Sequence, residues 1–232
     1  IFPQSAINFI MGTPLLNNIF SFVIRKSLGL NKSRICITGA ASIPISTLKW
    51  FDRFKIKIYE AYGMSENSAC SHGNYPGNIK FGSVGKAMPD TDIKITDKGE
   101  IIMKNDCIMQ GYYKEEKLTN QTIKKGYLHT GDKGTIDDDG YLTITGRIKD
   151  IFKTAKGKYV APNPIEMKLS KNNLIEQVCV VGESLSQPIA LVVMNETKKI
   201  ADEIKSNFEA LIDSINNTLE KHEKIKKIVI LK

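Results

Sequence analysis

The sequence predicts a mixed α/β segment that runs into a small antiparallel β subdomain and then into a small α+β domain. Three observations predict this order. Residues 14–59 alternate amphipathic helical stripes with short apolar strands. From Gly82 to Gly146 the texture changes to short alternating strands separated by turns. Beyond Lys149 the pattern is a strand and helix, two strands, a long helix and a last strand. A chain of 232 residues is long enough for one or two cores.

Taken in order, residues 14–28 carry Leu15, Leu16, Ile19, Phe20, Val23 and Ile24 at helical spacing, a stripe expected to face a core, and Gly29 is placed to end the helix. Ser33 to Thr38 reads as a buried strand leading into Gly39-Ala40-Ala41-Ser42. Small residues directly after a strand let a ligand approach the backbone, although by itself GAAS also reads as a tight turn. Ile45, Leu48, Phe51 and Phe54 make the next helix amphipathic, with Pro44 suited to its first turn.

Lys55 to Tyr59 alternates as a strand, and its end carries Tyr59-Glu60-Ala61-Tyr62-Gly63-Met64-Ser65-Glu66. An aromatic ring can stack on a base, a hydroxyl can bond a phosphate oxygen, and a carboxylate can hold Mg²⁺, a hard cation that prefers oxygen. The plainer reading is a strand end with a solvated Glu. Residues 67–82 are polar and read as a loop, in which His72 is not counted as a catalytic base.

Strands follow at Asp92–Thr96, Gly99–Lys104 and Gly126–His129, then a corner at His129-Thr130-Gly131-Asp132. After it comes a hairpin whose turn is Asp138-Asp139-Gly140, so Asp137-Asp138-Asp139 reads as a turn rather than a metal cluster. Antiparallel strands return to their start, which brings Asp132 and Arg147 close. Asp132 can accept two hydroxyl protons, as a cis-diol requires, and the Arg147 fork can grip an oxygen-rich ligand. A surface hairpin closed by a salt bridge is the plainer alternative. In the last domain Asn163-Pro164-Ile165-Glu166 reads as cap, first position and third position of a helix. Val178–Val181, Ile189–Met194 and Ile228–Leu231 read as strands. A stripe from Ile200 through Ile204, Phe208, Leu211, Ile212 and Ile215 to Leu219 reads as a long helix.

Composition bounds the partners. At 41% hydrophobic and 25% charged, the chain has an ordinary globular make-up. A net charge of +8 raises nucleic acid or an anionic membrane as partners. Only Arg25, Arg34, Arg53 and Arg147 are arginines, however, and the lysines are dispersed. The charge therefore reads as a solvated surface; nucleic acid is not expected, and peripheral membrane contact stays open. Cys36, Cys70, Cys107 and Cys179 lack CxxC spacing, which argues against zinc and fits reduced thiols in an intracellular protein, in the cytoplasm or on the cytosolic face of a membrane. No apolar run approaches the roughly 20 residues that cross a bilayer. Ile1 is not a natural start, and the sequence reads as a piece of a longer protein.

The succession YGMSE (62–66), TGD (130–132), GRIKD (146–150) and VAPNPIE (160–166) resembles the adenylate-forming, AMP-binding enzymes. Within them it is most similar to long-chain fatty acyl-CoA synthetases of the bubblegum type. Ser42, where the family often has Pro, is a small departure, and Ser65 stands where the family has Thr. The resemblance implies that residues 1–146 end a large adenylation domain, with the β subdomain at about 82–146. It makes 147–149 the hinge and 150–232 a small C-terminal domain. It further implies that ATP and a fatty acid give acyl-adenylate, from which the CoA thiol displaces AMP.

By the same resemblance Gly39, Ala40 and Ala41 pack on adenine, with Glu60 and Ala61 beside them. Tyr62 stacks on the base, Ser65 meets the α-phosphate, Glu66 binds Mg²⁺, and Gly63 and Met64 also line the acyl pocket. Asp132 holds the ribose, and Arg147 is counted with the catalytic and nucleotide-binding residues. Lys149 is the pivot between the two half-reactions, and Gly157 lies where the pantetheine arm of CoA approaches. The family's phosphate loop would precede residue 1, and its adenylating lysine would follow Lys232, so this stretch alone is expected to be inactive. A carrier-protein-loading relative and a non-catalytic nucleotide-binding or interaction fragment are the alternatives.

Overall fold

A computed structural model describes residues 12–41, 43–195 and 201–231; Ser42 and Ile200 lie outside them. The chain divides into two compact units. One comprises residues up to 92 with 104–119 and 136–143; the other comprises 93–103, 120–135 and everything from 144.

In the first unit, α1 (Pro14–Ser27) starts with proline at its first position and ends where Gly29 turns left-handed at φ +72°. Its apolar stripe is wider than the surface it covers. Phe20 meets Phe54 at 6.1 Å between ring centres, while Leu15, Ile19 and Val23 are more than half exposed. The expectation of a fully core-facing stripe is thereby corrected: only the Phe20 and Ile24 side turns inward. β1 (Cys36–Thr38) lies parallel to β2 (Ile58–Tyr62), with Thr38 opposite Glu60. Between them runs α2 (Ile45–Arg53), which begins directly after Pro44 and buries Leu48.

β2 reaches Tyr62, three residues beyond the expected strand, because β3 (His72–Gly73) pairs with its end: Ala61 faces Gly73 and Tyr62 faces His72. β4 (Lys86–Ala87) adds to β3. The stretch read as a loop therefore contains a buried strand, and His72 is only 1% exposed. A two-residue strand has too few positions to show a period.

The antiparallel subdomain is a five-stranded sheet. It uses β5 (Asp92–Ile95), β6 (Glu100–Lys104), β7 (Ile123–Lys124), β8 (Tyr127–Ile136) and β9 (Leu142–Arg147), in the order β5-β6-β8-β7 with β9 on β8. A short α3 (Glu116–Thr122), which the sequence reading lacks, precedes β7. The two segments expected on either side of a Thr-Gly-Asp corner are one continuous ten-residue strand. The corner is a bulge instead: Ile102 pairs with His129 and Glu100 with Lys133, so Thr130, Gly131 and Asp132 stand opposite Ile101 alone. Gly131 permits it at φ +72°. At the far end Asp137 Oδ1 accepts the N–H groups of Asp139 and Tyr141, so the acidic triplet is the expected turn.

The last domain has β10 (Phe152–Lys153) and β11 (Tyr159–Val160) as a hairpin. It continues through α4 (Pro162–Leu169), β12 (Ile175–Val181), β13 (Ile189–Met194), α5 (Ala201–Asn216) and β14 (Ile228–Leu231). β12 and β13 pair antiparallel, and β13 and β14 parallel. The expected cap at Asn163 is displaced, since Pro162 takes the first helical position after Ala161. Glu166 serves a different purpose: its Oε1 accepts the Val180 N–H at 2.7 Å, tying α4 to β12. Val160, Ile165, Leu169, Val180, Val192, Phe208 and Ile215 form one core. α5 stops at Asn216, short of Leu219, because the Asn216 amide bonds both the N–H and the C=O of Ile225 and fixes the return to β14.

Candidate functional site

The sequence-predicted residues fall into two groups, each built within its own unit. The first lies at the carboxyl ends of the parallel strands β1 and β2, where open α/β sheets take ligands. After β1 the backbone folds tightly, with Ala41 N–H donating to Gly39 O at 2.8 Å and Ala40 at φ +67°. A Cβ on Gly39 would sit 3.3 Å from the Ala61 carbonyl, so main chain faces main chain there. Glu60 is buried, and burial raises its pKa although the Gly82 N–H donates to it at 3.4 Å. Tyr62 lies across from His72 with ring centres 6.3 Å apart. Burial lowers the His72 pKa to about 4, so the ring is neutral at neutral pH, and its Nδ1 hydrogen-bonds Ser71 Oγ at 2.8 Å.

Beyond Tyr62 the chain makes a 3₁₀ turn over Ser65–Asn67, anchored by Met64 N–H donating to Asn67 Oδ1 at 2.9 Å. Gly63 is required by space: a Cβ there would come within 2.4 Å of Ala69 Cα. Ser68 and Ala69 both adopt left-handed φ, which non-glycine residues rarely do, so this loop is held in a strained conformation. Ser65 is exposed and Glu66 half-buried. Glu66 is gripped twice by one later segment: Tyr112 donates its hydroxyl to Oε1 at 2.7 Å, and Met109 N–H donates to its backbone oxygen at 2.8 Å. Sequence reasoning missed Tyr112. The signal available was a tyrosine hydroxyl directly after Gly111, whose φ of +155° lets Thr119 approach.

The second group stands on the bulge of β8. Asp132 is 4% exposed, and Arg147 Nε donates to its Oδ1 at 3.0 Å from a largely exposed side chain. The returning strands thus bring these two together, as the hairpin implies. The bulge is braced by Glu100, whose carboxylate accepts the Gly131 N–H at 3.2 Å and the His129 ring at 3.0 Å. Thr130 Oγ1 also donates to the Ile101 carbonyl at 2.7 Å. Lys149 is exposed in the turn after β9, which Asp150 N–H closes onto Arg147 O at 3.3 Å. Gly157 sits at the tip of the β10–β11 hairpin with φ +75°, where its N–H bonds Thr154 O.

Chemically, the first group offers a main-chain wall, an aromatic ring and one oriented carboxylate. Among the described residues no group of three or more His, Cys, Asp or Glu could hold a metal ion. A lone carboxylate does suit Mg²⁺ carried by a polyphosphate, since that ion takes one or two protein carboxylates and completes its shell with phosphates and water. No helix among the described residues is long and apolar enough to cross a membrane.

Comparison with known proteins gives the following. The family model for AMP-binding enzyme matches residues 3–113, and that for the AMP-binding enzyme C-terminal domain matches residues 149–232. The long-chain-fatty-acid–CoA ligase FadD15 of Mycobacterium bovis is 37% identical over 161 residues, covering 69% of this chain and 27% of that protein. The long-chain-fatty-acid–CoA ligase ACSBG2 of Gallus gallus is 40% identical over 153 residues, covering 62% of this chain and 20% of that protein. The chain therefore spans about a quarter of the length of these curated relatives. Among solved structures, the anthranilate CoA ligase AuaEII in complex with anthranoyl-AMP aligns with a TM-score of 0.75 at 23% identity, over 87% of this chain and 41% of that one. The o-succinylbenzoate CoA synthetase of Bacillus subtilis with its acyl-adenylate intermediate aligns with a TM-score of 0.73 at 24% identity, over 85% and 42%.

Proposed function

Because the chain belongs to the AMP-binding enzyme family, we propose that the full-length protein is a long-chain fatty acid–CoA ligase and that residues 1–232 are its C-terminal portion. The observation that carries this reading is the 37–40% identity to long-chain-fatty-acid–CoA ligases over 153–161 residues of this chain. Residues 1–146 would end the adenylation domain, 147–149 form the hinge, and 150–232 form the smaller domain.

In the first half-reaction a fatty carboxylate attacks the α-phosphorus of ATP, forming the mixed anhydride and releasing pyrophosphate. In the second the CoA thiol attacks the acyl carbon and AMP leaves. Both steps displace groups at anionic centres, so positioning and charge stabilisation carry the catalysis. Gly39, Ala40, Ala41, Glu60 and Ala61 offer the adenine ring backbone at close range, and Tyr62 stacks on it. Gly63 and Met64 line the acyl path, and Ser65 bonds the α-phosphate. Glu66, oriented by Tyr112, would hold Mg²⁺ on the nucleotide's phosphates, where the ion neutralises negative charge. Asp132 accepts ribose hydroxyls while its other oxygen is steadied by Arg147, whose exposed fork is left to reach ligand oxygens. Lys149 is the pivot of the small domain between steps, and Gly157 borders the pantetheine arm.

The test uses the full-length protein. Pyrophosphate exchange should require a long-chain fatty acid, and CoA should then yield the thioester. Exchange driven by aryl or amino acids, with transfer to a phosphopantetheine carrier protein, would overturn the reading. On this reading the 232 residues alone should form no thioester, since the family's phosphate loop and adenylating lysine would lie outside them.

A further inference from the structure

The four cysteines have no motif spacing, yet the fold puts two of them side by side. Cys70 follows the strained Ser68-Ala69 pair, and Cys107 sits in the segment that runs on to Met109 and Tyr112. The two segments are laced together around them. Ser68 Oγ donates to the Cys107 carbonyl at 3.3 Å, and Asn105 Nδ2 donates to the Cys70 carbonyl at 2.8 Å. The same Asn105 side chain joins the two cysteine backbones, since its Oδ1 accepts the Cys107 N–H at 3.1 Å, while the Cys70 thiol donates to the Ser68 carbonyl at 3.4 Å. Cys107 is exposed and Cys70 half-buried, so one sulfur is open to a reagent and the other waits beside it. That is the arrangement of an attacked and a resolving thiol.

We propose that Cys70 and Cys107 are a reversible disulfide site, closed by a small oxidised disulfide of the glutathione class, which fastens the Glu66 loop to the Tyr112 segment. The Cys107 thiolate attacks the small disulfide and expels one reduced thiol. The Cys70 thiolate then attacks the Cys107 sulfur and expels the second. One protein S–S bond forms, one small-molecule S–S bond breaks, two protons move to the released thiols, and the two electrons lost by the protein sulfurs reduce the small disulfide. The neighbouring Cys70 side chain holds the Cys107 pKa above its ordinary value, so Cys107 attacks from a small thiolate fraction and closure is slow. Closure adds a covalent link next to the two existing hydrogen bonds to Glu66 and removes the loop's freedom to let go of Tyr112.

The experiment needs no assumption about the reaction catalysed. The full-length protein is equilibrated with glutathione at a series of oxidised-to-reduced ratios, quenched by alkylation, and mapped by peptide mass spectrometry. The expected result is a peptide linking Cys70 to Cys107, lighter by two hydrogens than its separate parts, with alkylation lost at both and restored by dithiothreitol. Cys70→Ser and Cys107→Ser should each abolish it. Hydrogen exchange of residues 65–70 and 105–112 should slow on oxidation in the parent protein and not in either variant. Glutathione adducts without a link, links to Cys36 or Cys179 in its place, or unchanged exchange on closure would overturn the proposal.

Discussion

Tyr112→Phe is the most direct probe of the Glu66 carboxylate. The substitution removes one hydroxyl and leaves the ring, so packing is kept while the 2.7 Å hydrogen bond to Oε1 is lost. A hydrogen bond to a charged group contributes about 1.5–3 kcal/mol when dry. Glu66 is half-buried, so screening by water brings the expected figure to about 1–2 kcal/mol. At about 1.4 kcal/mol per tenfold, that is a loss of roughly 5–30-fold wherever a fixed carboxylate is needed. The assay is pyrophosphate exchange by the full-length protein at limiting Mg²⁺, read as kcat/KM for ATP. Thermal unfolding in parallel separates loss of orientation from loss of fold. In a Glu66→Ala background the same change should cost little more, since the acceptor is already gone. A change under twofold in the parent, or full additivity in the double variant, would refute the idea that Tyr112 acts through Glu66.

Asp132→Ala in the full-length protein should raise the KM for ATP more than it lowers kcat, because ribose contacts are present in ground and transition states alike; an unchanged KM with a large fall in kcat would count against the role. Lys149→Pro fixes φ and removes an N–H in the turn after β9, so it should preserve pyrophosphate exchange while thioester formation falls by orders of magnitude. Equal losses in both half-reactions would point to misfolding or to a different pivot. For His72 the folded pKa of about 4 lies below the ordinary 6.5, so the unfolded chain binds the proton more tightly. Stability should therefore fall as pH drops from about 6.5 to 4, by up to about 3 kcal/mol, and stay level above that window. His72→Gln should flatten that part of the acid-unfolding curve, and an unaltered curve would reject the assignment.

Periodicity served best where one residue type dominates a run. Ile189–Met194 and Ile228–Leu231 are continuous apolar stretches rich in Ile and Val, and the structure has strands at those limits. It served least where a partner far along the chain decides. Nothing in Glu66 points to Tyr112, 46 positions away, and the strand at His72 exists because the end of β2 needs a neighbour. The Thr-Gly-Asp corner was misread because a bulge is a property of two strands in register, visible only once Glu100 and Ile102 are set against Lys133 and His129. The Asn163 side chain suits a cap, yet the ring of Pro162 fixes the first helical φ one residue earlier. The motifs that carry the proposed site stand in the sequence as a spaced set. The closeness of Asp132 to Arg147 followed from strand direction alone.

The bulge at residues 130–132 adds two residues to β8, not one, and parity matters. Side chains alternate across a sheet, so a pair of extra residues leaves the alternation in phase, whereas a single one is absorbed only by a kink at which the alternation locally fails. Leu128, Asp132 and Gly134 are all buried, in step on both sides of the bulge. A carboxylate can thus be carried on the inner face without disturbing the hairpin beyond it. Removing Thr130 and Gly131 together would leave a strand that pairs without a bulge, while removing either alone would leave a one-residue bulge and a sharper local kink before Lys133.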